Sequence, residues 1–344
     1  DADGIVAVKA RDADTGKEIW SHSYPAEIMN RAHRGGTVNT PSVDGDLLWA
    51  LNREGKLFCF DAAGGEIKWQ RNMEEELELE RPTWGYAGSP LILDDMVVLN
   101  LGKIVAMKKV TGEIMWTSDD TGHAYSTPVP VDLPERKCFA VFNSNGLALL
   151  DRGDGEVIDV HEWKTQYDIN AATPVLIDGD KVFISSSFNR GCALLKCTAD
   201  GLEVVWESKV MRTKMSGCIL WEGHLYGFDD ALLKCIDLEG NEKWQVRGIG
   251  NGSHMIADGR LIVISGKGEL IIAEATPEGF TELSREKCLH DEGVYWTMPI
   301  LVDGRIYCRS SEGALVCRDH RGGAGTGNEY CLLYTSDAAD EGHC

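Results

Sequence analysis

The sequence lacks the patterns on which several large classes of protein depend. It contains no run of 18 apolar residues, which excludes a conventional membrane-spanning helix. No long segment keeps the 3.6-residue period of an amphipathic helix, so almost no helix is expected. Basic residues are few, since 34 Lys and Arg stand against 55 Asp and Glu, a net charge of −21. This balance argues against binding to nucleic acid or to an anionic membrane surface.

The cysteines also lack the usual functional spacings. None of the eleven is adjacent to another, and no C-x-x-C motif or Cys/His cluster is present. Metal and redox sites are therefore not indicated, and the odd number gives no disulfide framework. Cys59, Cys235 and Cys317 instead occupy one repeated position, two residues before an Asp, and are expected to act as small core residues.

What the chain does contain is a recurring turn followed by a tryptophan. The turn is also kept without the tryptophan in DGEVID (154–159) and EGFTEL (278–283). Successive turn glycines are 39 to 49 residues apart, which is the length of a four-stranded blade of a β-propeller. The tryptophan copies are TGKEIW, GGEIKW, TGEIMW, DGLEVVW and EGNEKW, which end at Trp20, Trp69, Trp116, Trp206 and Trp244.

Each period has the same internal order, which predicts an all-β fold of four-stranded antiparallel blades. A Ser/Thr-Pro step opens an apolar run, as in TPVLIDGDKVFIS (173–185), and an Asp-Gly pair then turns the chain. Asp-Gly favours a two-residue hairpin, because both central positions need positive φ. Alternation such as Leu57 and Cys59 against Phe58 and Phe60 predicts strands that are buried on both faces.

We expect one propeller domain over residues 1–320, with 1–20 as the outer half of a truncated first blade. Residues 321–344 are expected to be a disordered tail that is foreign to the fold. Within it, CLLYTSDAADE (331–341) resembles the translation of an adapter used in sequencing libraries. The sequence is therefore interpreted as a fragment, incomplete at both ends.

The repeats ARDADTGKEIW (10–20) and CFDAAGGEIKW (59–69) resemble the repeat of pyrroloquinoline-quinone (PQQ) enzymes. Over residues 1–320 the chain is similar to bacterial PQQ-binding-like β-propeller proteins, relatives of the outer-membrane assembly propeller lipoprotein. The resemblance implies an eight-bladed propeller, incomplete here, in which each repeat Trp docks on the neighbouring blade. It also implies a periplasmic or secreted setting.

The quinoprotein resemblance does not by itself imply enzymatic activity. Dehydrogenases of that kind use PQQ, a calcium ion and an Asp base, and some use a pair of adjacent cysteines. No residue here could be matched to the calcium ligands or the base, so no catalytic, cofactor or metal residue is predicted. We expect a non-catalytic binding or assembly scaffold. A PQQ-dependent alcohol or sugar dehydrogenase is the alternative, and a carbohydrate-active propeller is a third class without a motif.

The candidate binding face is formed by the loops that precede the first strand of each blade, because these loops surround the central channel. Aromatic walls with few polar groups suit a protein partner or a small polar or saccharide ligand. The complete protein is expected to be a monomer. Each candidate has a structural alternative, since the rings can pack under loops and Asp168 with Asn170 can cap a turn. The candidates are His33, Arg34, Trp84, Tyr86, His123, Tyr125, Asp168, Asn170, Lys214 and Trp296.

Overall fold

The structure, a computed structural model, describes residues 4–27 and 38–321, together with the backbone of residues 331–333. These residues form antiparallel β-sheet apart from one helix of four residues. Contacts divide the chain into two compact units. The larger unit holds residues 37–248 and 277–279, and the smaller unit holds residues 1–36, 249–276 and 280–344.

The strands are short and follow one another with tight turns. The elements in chain order are β1 (Ile5–Arg11), β2 (Glu18–Pro25), β3 (Ser42–Asp44), β4 (Leu47–Leu51), β5 (Lys56–Asp61), β6 (Ile67–Asn72), α1 (Met73–Glu76), β7 (Leu91–Leu93), β8 (Met96–Asn100), β9 (Ile104–Lys108), β10 (Ile114–Thr117), β11 (Val129–Asp132), β12 (Lys137–Asn143), β13 (Gly146–Asp151), β14 (Val157–Glu162), β15 (Val175–Ile177), β16 (Lys181–Ser186), β17 (Gly191–Thr198), β18 (Gly201–Ser208), β19 (Ile219–Trp221), β20 (His224–Asp229), β21 (Leu232–Asp237), β22 (Glu242–Val246), β23 (Ser253–Ala257), β24 (Arg260–Ile264), β25 (Glu269–Glu274), β26 (Glu282–Lys287), β27 (Ile300–Val302), β28 (Arg305–Arg309), β29 (Leu315–Asp319) and β30 (Cys331–Leu333).

Consecutive strands pair to form the blades that the sequence predicted. The described strands from β3 to β30 form seven four-stranded antiparallel sheets, five in the larger unit and two in the smaller one. The prediction of eight blades is wrong, because β1 and β2 form a separate sheet of two strands. The number eight came from the family resemblance, and β1 and β2 are the strands of residues 1–20 that were assigned to its truncated blade.

The end of the chain adds a strand to the last sheet. Residues 331–333, which lie within the predicted tail, form β30, which pairs with β29 as the last strand of its sheet. The remaining tail residues, 322–330 and 334–344, lie outside the described residues.

Three Asp-Gly turns between first and second strands have the predicted backbone conformation. Asp178 and Gly179 lie between β15 and β16 with φ of 52° and 85°. The pairs at Asp258 and Asp303 have positive φ at both positions as well. At Asp258 and Asp303 the two residues of the pair are the whole connection, whereas Asp180 lengthens the connection at Asp178 to three residues.

Alternating side chains bury both faces of a sheet, as the sequence predicted. In β8, Val97 and Leu99 pack against residues of β4 and β5. The intervening Met96 and Val98 pack instead against the next sheet, on residues such as Phe139 of β12. The core of the larger unit is therefore a series of apolar layers between successive sheets.

The repeated tryptophans connect neighbouring sheets, which confirms the predicted docking within the larger unit. A Cβ built on Gly112 would lie 2.7 Å from the ring of Trp69, and one on Gly155 would lie 2.5 Å from the ring of Trp116. Where Asp159 replaces the tryptophan, its carboxylate accepts a hydrogen bond of 2.9 Å from the backbone N–H of Leu202. Each turn glycine thus receives the last strand of the preceding sheet.

Candidate functional site

The predicted loops share one edge of each sheet with a second set of turns. Because the strands alternate in direction, the loop before the first strand and the turn between the second and third strands lie at the same edge. We call this edge, in the larger unit, the lead-in face. It consists of the loops 81–88, 121–126, 165–172 and 213–216 and the turns 52–55, 101–103, 144–145, 187–190 and 230–231.

The Ser/Thr-Pro steps tie the lead-in loops together in series. The backbone N–H of Thr40 donates to Ser89 Oγ at 3.0 Å, and the N–H of Ser89 donates to Thr127 Oγ1 at 3.0 Å. The N–H of Thr127 donates in turn to Thr173 Oγ1 at 3.4 Å. A hydroxyl before each proline therefore accepts from the preceding blade, which explains why Ser or Thr recurs at this position.

A network of buried amides lies beneath these loops. Asn100 Nδ2 donates to Asn143 Oδ1 at 2.8 Å, and Asn170 Nδ2 donates to the Asn143 carbonyl at 2.8 Å. Ser186 Oγ donates to Asn170 Oδ1 at 2.6 Å. Asn170, predicted as a ligand residue with a turn cap as its alternative, is buried, and its amide donates to the carbonyls of both Asn143 and Trp163.

Three of the predicted residues come together. Burial raises the pKa of Tyr125, a hydrogen bond to the backbone of Trp84 opposes the rise, and the Asp168 carboxylate adds to it. Tyr125 is buried, Trp84 is half-buried and Asp168 is exposed. Tyr125 therefore lies against the backbone of the preceding lead-in loop and within electrostatic range of the carboxylate of the following loop.

The other candidates of the larger unit do not join this group as ligand residues. Tyr86 is fully buried in the apolar layer that contains Trp49 and Leu99, and burial raises its pKa. His123 is exposed, and its carbonyl accepts from the N–H of Ser144 at 2.9 Å. Lys214 is half-buried in the loop before β19.

Three candidates lie elsewhere. His33 and Arg34 are outside the described residues. Trp296 is half-buried and belongs to the smaller unit. The convergence of all ten residues therefore stays a prediction.

Sequence reasoning missed an aromatic pair on the lead-in face. Tyr167 is 58% exposed, and its ring meets that of Phe188 edge-on with centroids 5.0 Å apart. Phe188 has φ of 58°, which is unusual for a bulky residue, and the adjacent Asn189 has φ of 59°. The signal was available, because SFNRG (187–191) occupies a turn at the same edge as the loop containing Tyr167.

The sequence also did not single out Arg53. This residue lies in the turn between β4 and β5 and is only 4% exposed. Its carbonyl accepts from the N–H of Tyr86 at 3.1 Å, which joins the turn to the lead-in loop of the next sheet. The sequence analysis considered only the loops before first strands, so a cation in this turn was not examined.

A buried ion cluster fixes the last part of the lead-in face in the larger unit. Asp229 accepts from Arg212 Nε at 2.7 Å and from Lys234 Nζ at 2.9 Å. Burial alone would raise the pKa of Asp229, but these donors outweigh it and leave the pKa below its usual value. The exposed Asp230 accepts from Ser187 Oγ at 2.8 Å and thereby joins two turns of the face.

Across the described part of the chain, no three His, Cys, Asp or Glu side chains come together in a way that could hold a metal ion. Within the same residues, no helix is both long and apolar enough to cross a membrane.

Comparisons with known proteins agree with this architecture. The family model described as outer membrane protein assembly factor BamB matches residues 2–245. BamB of Yersinia pestis is 23% identical over 329 residues, which cover 91% of this chain and 70% of that protein. The crystal structure of BamB from Moraxella catarrhalis has a TM-score of 0.66 at 18% identity and covers 94% of this chain and 91% of that one.

A computationally designed protein, Ika8, is similar with a TM-score of 0.68 at 12% identity, covering 92% of this chain and 90% of that one. At such identities the structural likeness establishes the fold, a β-propeller. The family match extends over well more than half of the residues. The chain therefore belongs to the family of outer membrane protein assembly factor BamB, whose repeats are of the PQQ-like type.

Proposed function

We propose that the protein is a non-catalytic scaffold for the assembly of outer membrane proteins and that it holds a protein partner at its lead-in face. The observation that carries the proposal is the match of residues 2–245 to the family of assembly factor BamB. A periplasmic location follows from the same proposal, because outer membrane proteins are assembled from that side.

The lead-in face has the features of a docking surface. Tyr167 is exposed and its ring contacts that of the half-buried Phe188, and aromatic residues are enriched where protein interfaces carry most of their binding energy. The adjacent group of Trp84, Tyr125 and Asp168 adds further rings and a carboxylate. The hydroxyl series and the buried amides hold these loops in place before binding, which lowers the entropy lost on association.

The proposal includes no cofactor. A PQQ-dependent dehydrogenase remains the alternative function, and it would need a calcium site and a base for which no residues of this chain could be matched.

Photo-cross-linking in Escherichia coli tests the docking surface. A photoreactive amino acid is placed at position 167 or 188 of the exported protein, and cross-linked partners are identified by mass spectrometry. We expect cross-links to a protein of the outer membrane assembly machinery from both positions, because both residues lie on the lead-in face. Position 115 is a matched control, since Met115 is an exposed apolar residue in β10, outside the lead-in face.

Equal cross-linking from positions 115 and 167 would contradict a specific docking surface. Cross-linking of position 115 alone would place the interface on the outer strands instead.

A further inference from the structure

Four arginines are buried in the described part of the chain, and three of them have a carboxylate partner. Arg152 pairs with Asp132, Arg305 with Asp14, and Arg318 with Glu286. The fourth, Arg53, is the most deeply buried of the four at 4% exposure. Among the described residues no carboxylate pairs with it, although the chain has 55 acidic and 34 basic side chains.

The guanidinium of Arg53 is also short of hydrogen-bond acceptors. Its Nε and Nη1 atoms are buried without a partner among the described residues. Gly85, directly after Trp84, covers the side chain so closely that a Cβ built there would lie 3.0 Å from Arg53 Nε. The buried charge thus lies against the loop that carries Trp84, on the lead-in face.

Such an arrangement is unfavourable in the free protein. A guanidinium stays protonated in folded proteins, and a buried charge without a counter-ion loses hydration that nothing replaces. Arg152 Nε and Arg318 Nη1 also lack an acceptor, but the charges of the other three buried arginines are each paired with a carboxylate. Arg53 lacks, in the free protein, the carboxylate that each of the other three buried arginines has. We interpret this as a sign that a binding partner supplies the carboxylate.

We propose that Arg53 is an anion-binding residue of the lead-in face that receives a carboxylate from an acidic side chain of the protein partner. The inference rests on the proposed function and names the chemistry of one contact within it. The carboxylate matches the planar donors of the guanidinium and supplies the missing acceptors. Docking is coupled to a local opening around Gly85, and the ion pair then forms away from water, where it is stronger.

Acetate titration of the isolated protein tests the proposal without the partner. Thermal unfolding is followed in sodium acetate, sodium phosphate and sodium chloride at equal ionic strength, for the unmodified protein, Arg53→Met and Arg152→Met. We expect acetate to raise the Tm of the unmodified protein above its value in chloride and to have no such effect on Arg53→Met. In chloride, Arg53→Met should unfold at or above the Tm of the unmodified protein, because a destabilising charge is removed.

Arg152→Met is the matched control, since it breaks an existing pair with Asp132 and should lower the Tm. If Arg53→Met lowers the Tm as much as Arg152→Met does, or fails to fold, Arg53 is a structural residue and the proposal is wrong. Stabilisation by phosphate with no effect of acetate would exclude a carboxylate ligand. Absence of any anion effect on the unmodified protein would also overturn it. None of these results depends on the cross-linking experiment, so the docking surface can survive the loss of this contact.

Discussion

At the scale of single residues, buried charges in this protein differ in whether the fold itself neutralises them. Asp229 is 1% exposed and is held by both Arg212 and Lys234. Arg53 lies in the equivalent turn of another sheet and has no such partner among the described residues. The first arrangement stabilises the lead-in face, and the second leaves a charge available for a ligand.

The Asp229 cluster gives a pH-dependent stability. The folded pKa of Asp229 is lowered, so its contribution is present above the unfolded pKa, near 3.8, and is lost as the pH falls through the folded value. We expect Asp229→Asn to destabilise the protein by about 3 kcal/mol at pH 7, because the buried Lys234 and the half-buried Arg212 lose their closest carboxylate. Urea unfolding between pH 7 and pH 3 should show this difference shrinking below pH 4.

Asp230→Asn is the control for that series, since Asp230 is exposed and lies 3.8 Å from Arg212. It should change stability by less than about 1 kcal/mol, as exposed pairs usually do. A difference for Asp229→Asn that stays constant down to pH 3 would show that its carboxylate does not carry the effect.

At the scale of elements, neighbouring sheets are joined by the contact between the last strand of one and the outer turn of the next. The ring of Trp116 lies against Gly155, which has φ of 80°. A glycine is needed there for two reasons, the left-handed backbone and the closeness of the indole. Gly179 has φ of 85° with no atom within 4 Å of a built Cβ, so the two causes can be separated.

We therefore expect Gly155→Ala to cost more than Gly179→Ala. The left-handed conformation should cost each variant about 1–2 kcal/mol, and overpacking against Trp116 should add about 1–3 kcal/mol to Gly155→Ala only. Denaturant unfolding of both variants measures the two values. Equal losses would mean that the indole moves aside freely and does not fix the spacing of the sheets.

At the scale of the whole molecule, the propeller is shared by scaffolds and quinoprotein enzymes, so the fold alone does not decide between them. The two functions differ in the chemical groups that the propeller must bring together. A dehydrogenase needs a cation and a base beside the quinone, whereas a docking surface needs exposed rings on loops held in place. The second set is the one that the lead-in face contains.

The enzymatic alternative can be tested directly. The protein is incubated with PQQ and calcium, and reduction of an artificial electron acceptor is followed with simple alcohols and sugars. We expect no turnover above a control without protein, because no residue could be matched to the calcium ligands or the base. Turnover that requires both PQQ and calcium would replace the scaffold proposal with the dehydrogenase.

The sequence by itself determined the strands, the hairpins and the repeat, because their causes are local. Asp-Gly selects its turn through the φ of two residues, and alternating side chains decide which face of a strand is buried. The recurring turn and tryptophan identified the propeller for the same reason. The total of eight blades, which was taken from the family resemblance, was wrong, since the local motif does not decide how many strands pair beside it.

Only the tertiary structure decided which side chains are free to bind. Asn170 and Tyr86 occur in suitable loops, but contacts from neighbouring sheets use them in the network and the core. Asp168 influences the pKa of Tyr125 because successive lead-in loops are held side by side. The isolation of Arg53 likewise depends on which acidic residues other parts of the chain bring near it. Such distances are set by packing between sheets, and a pattern within one strand or turn carries no information about them.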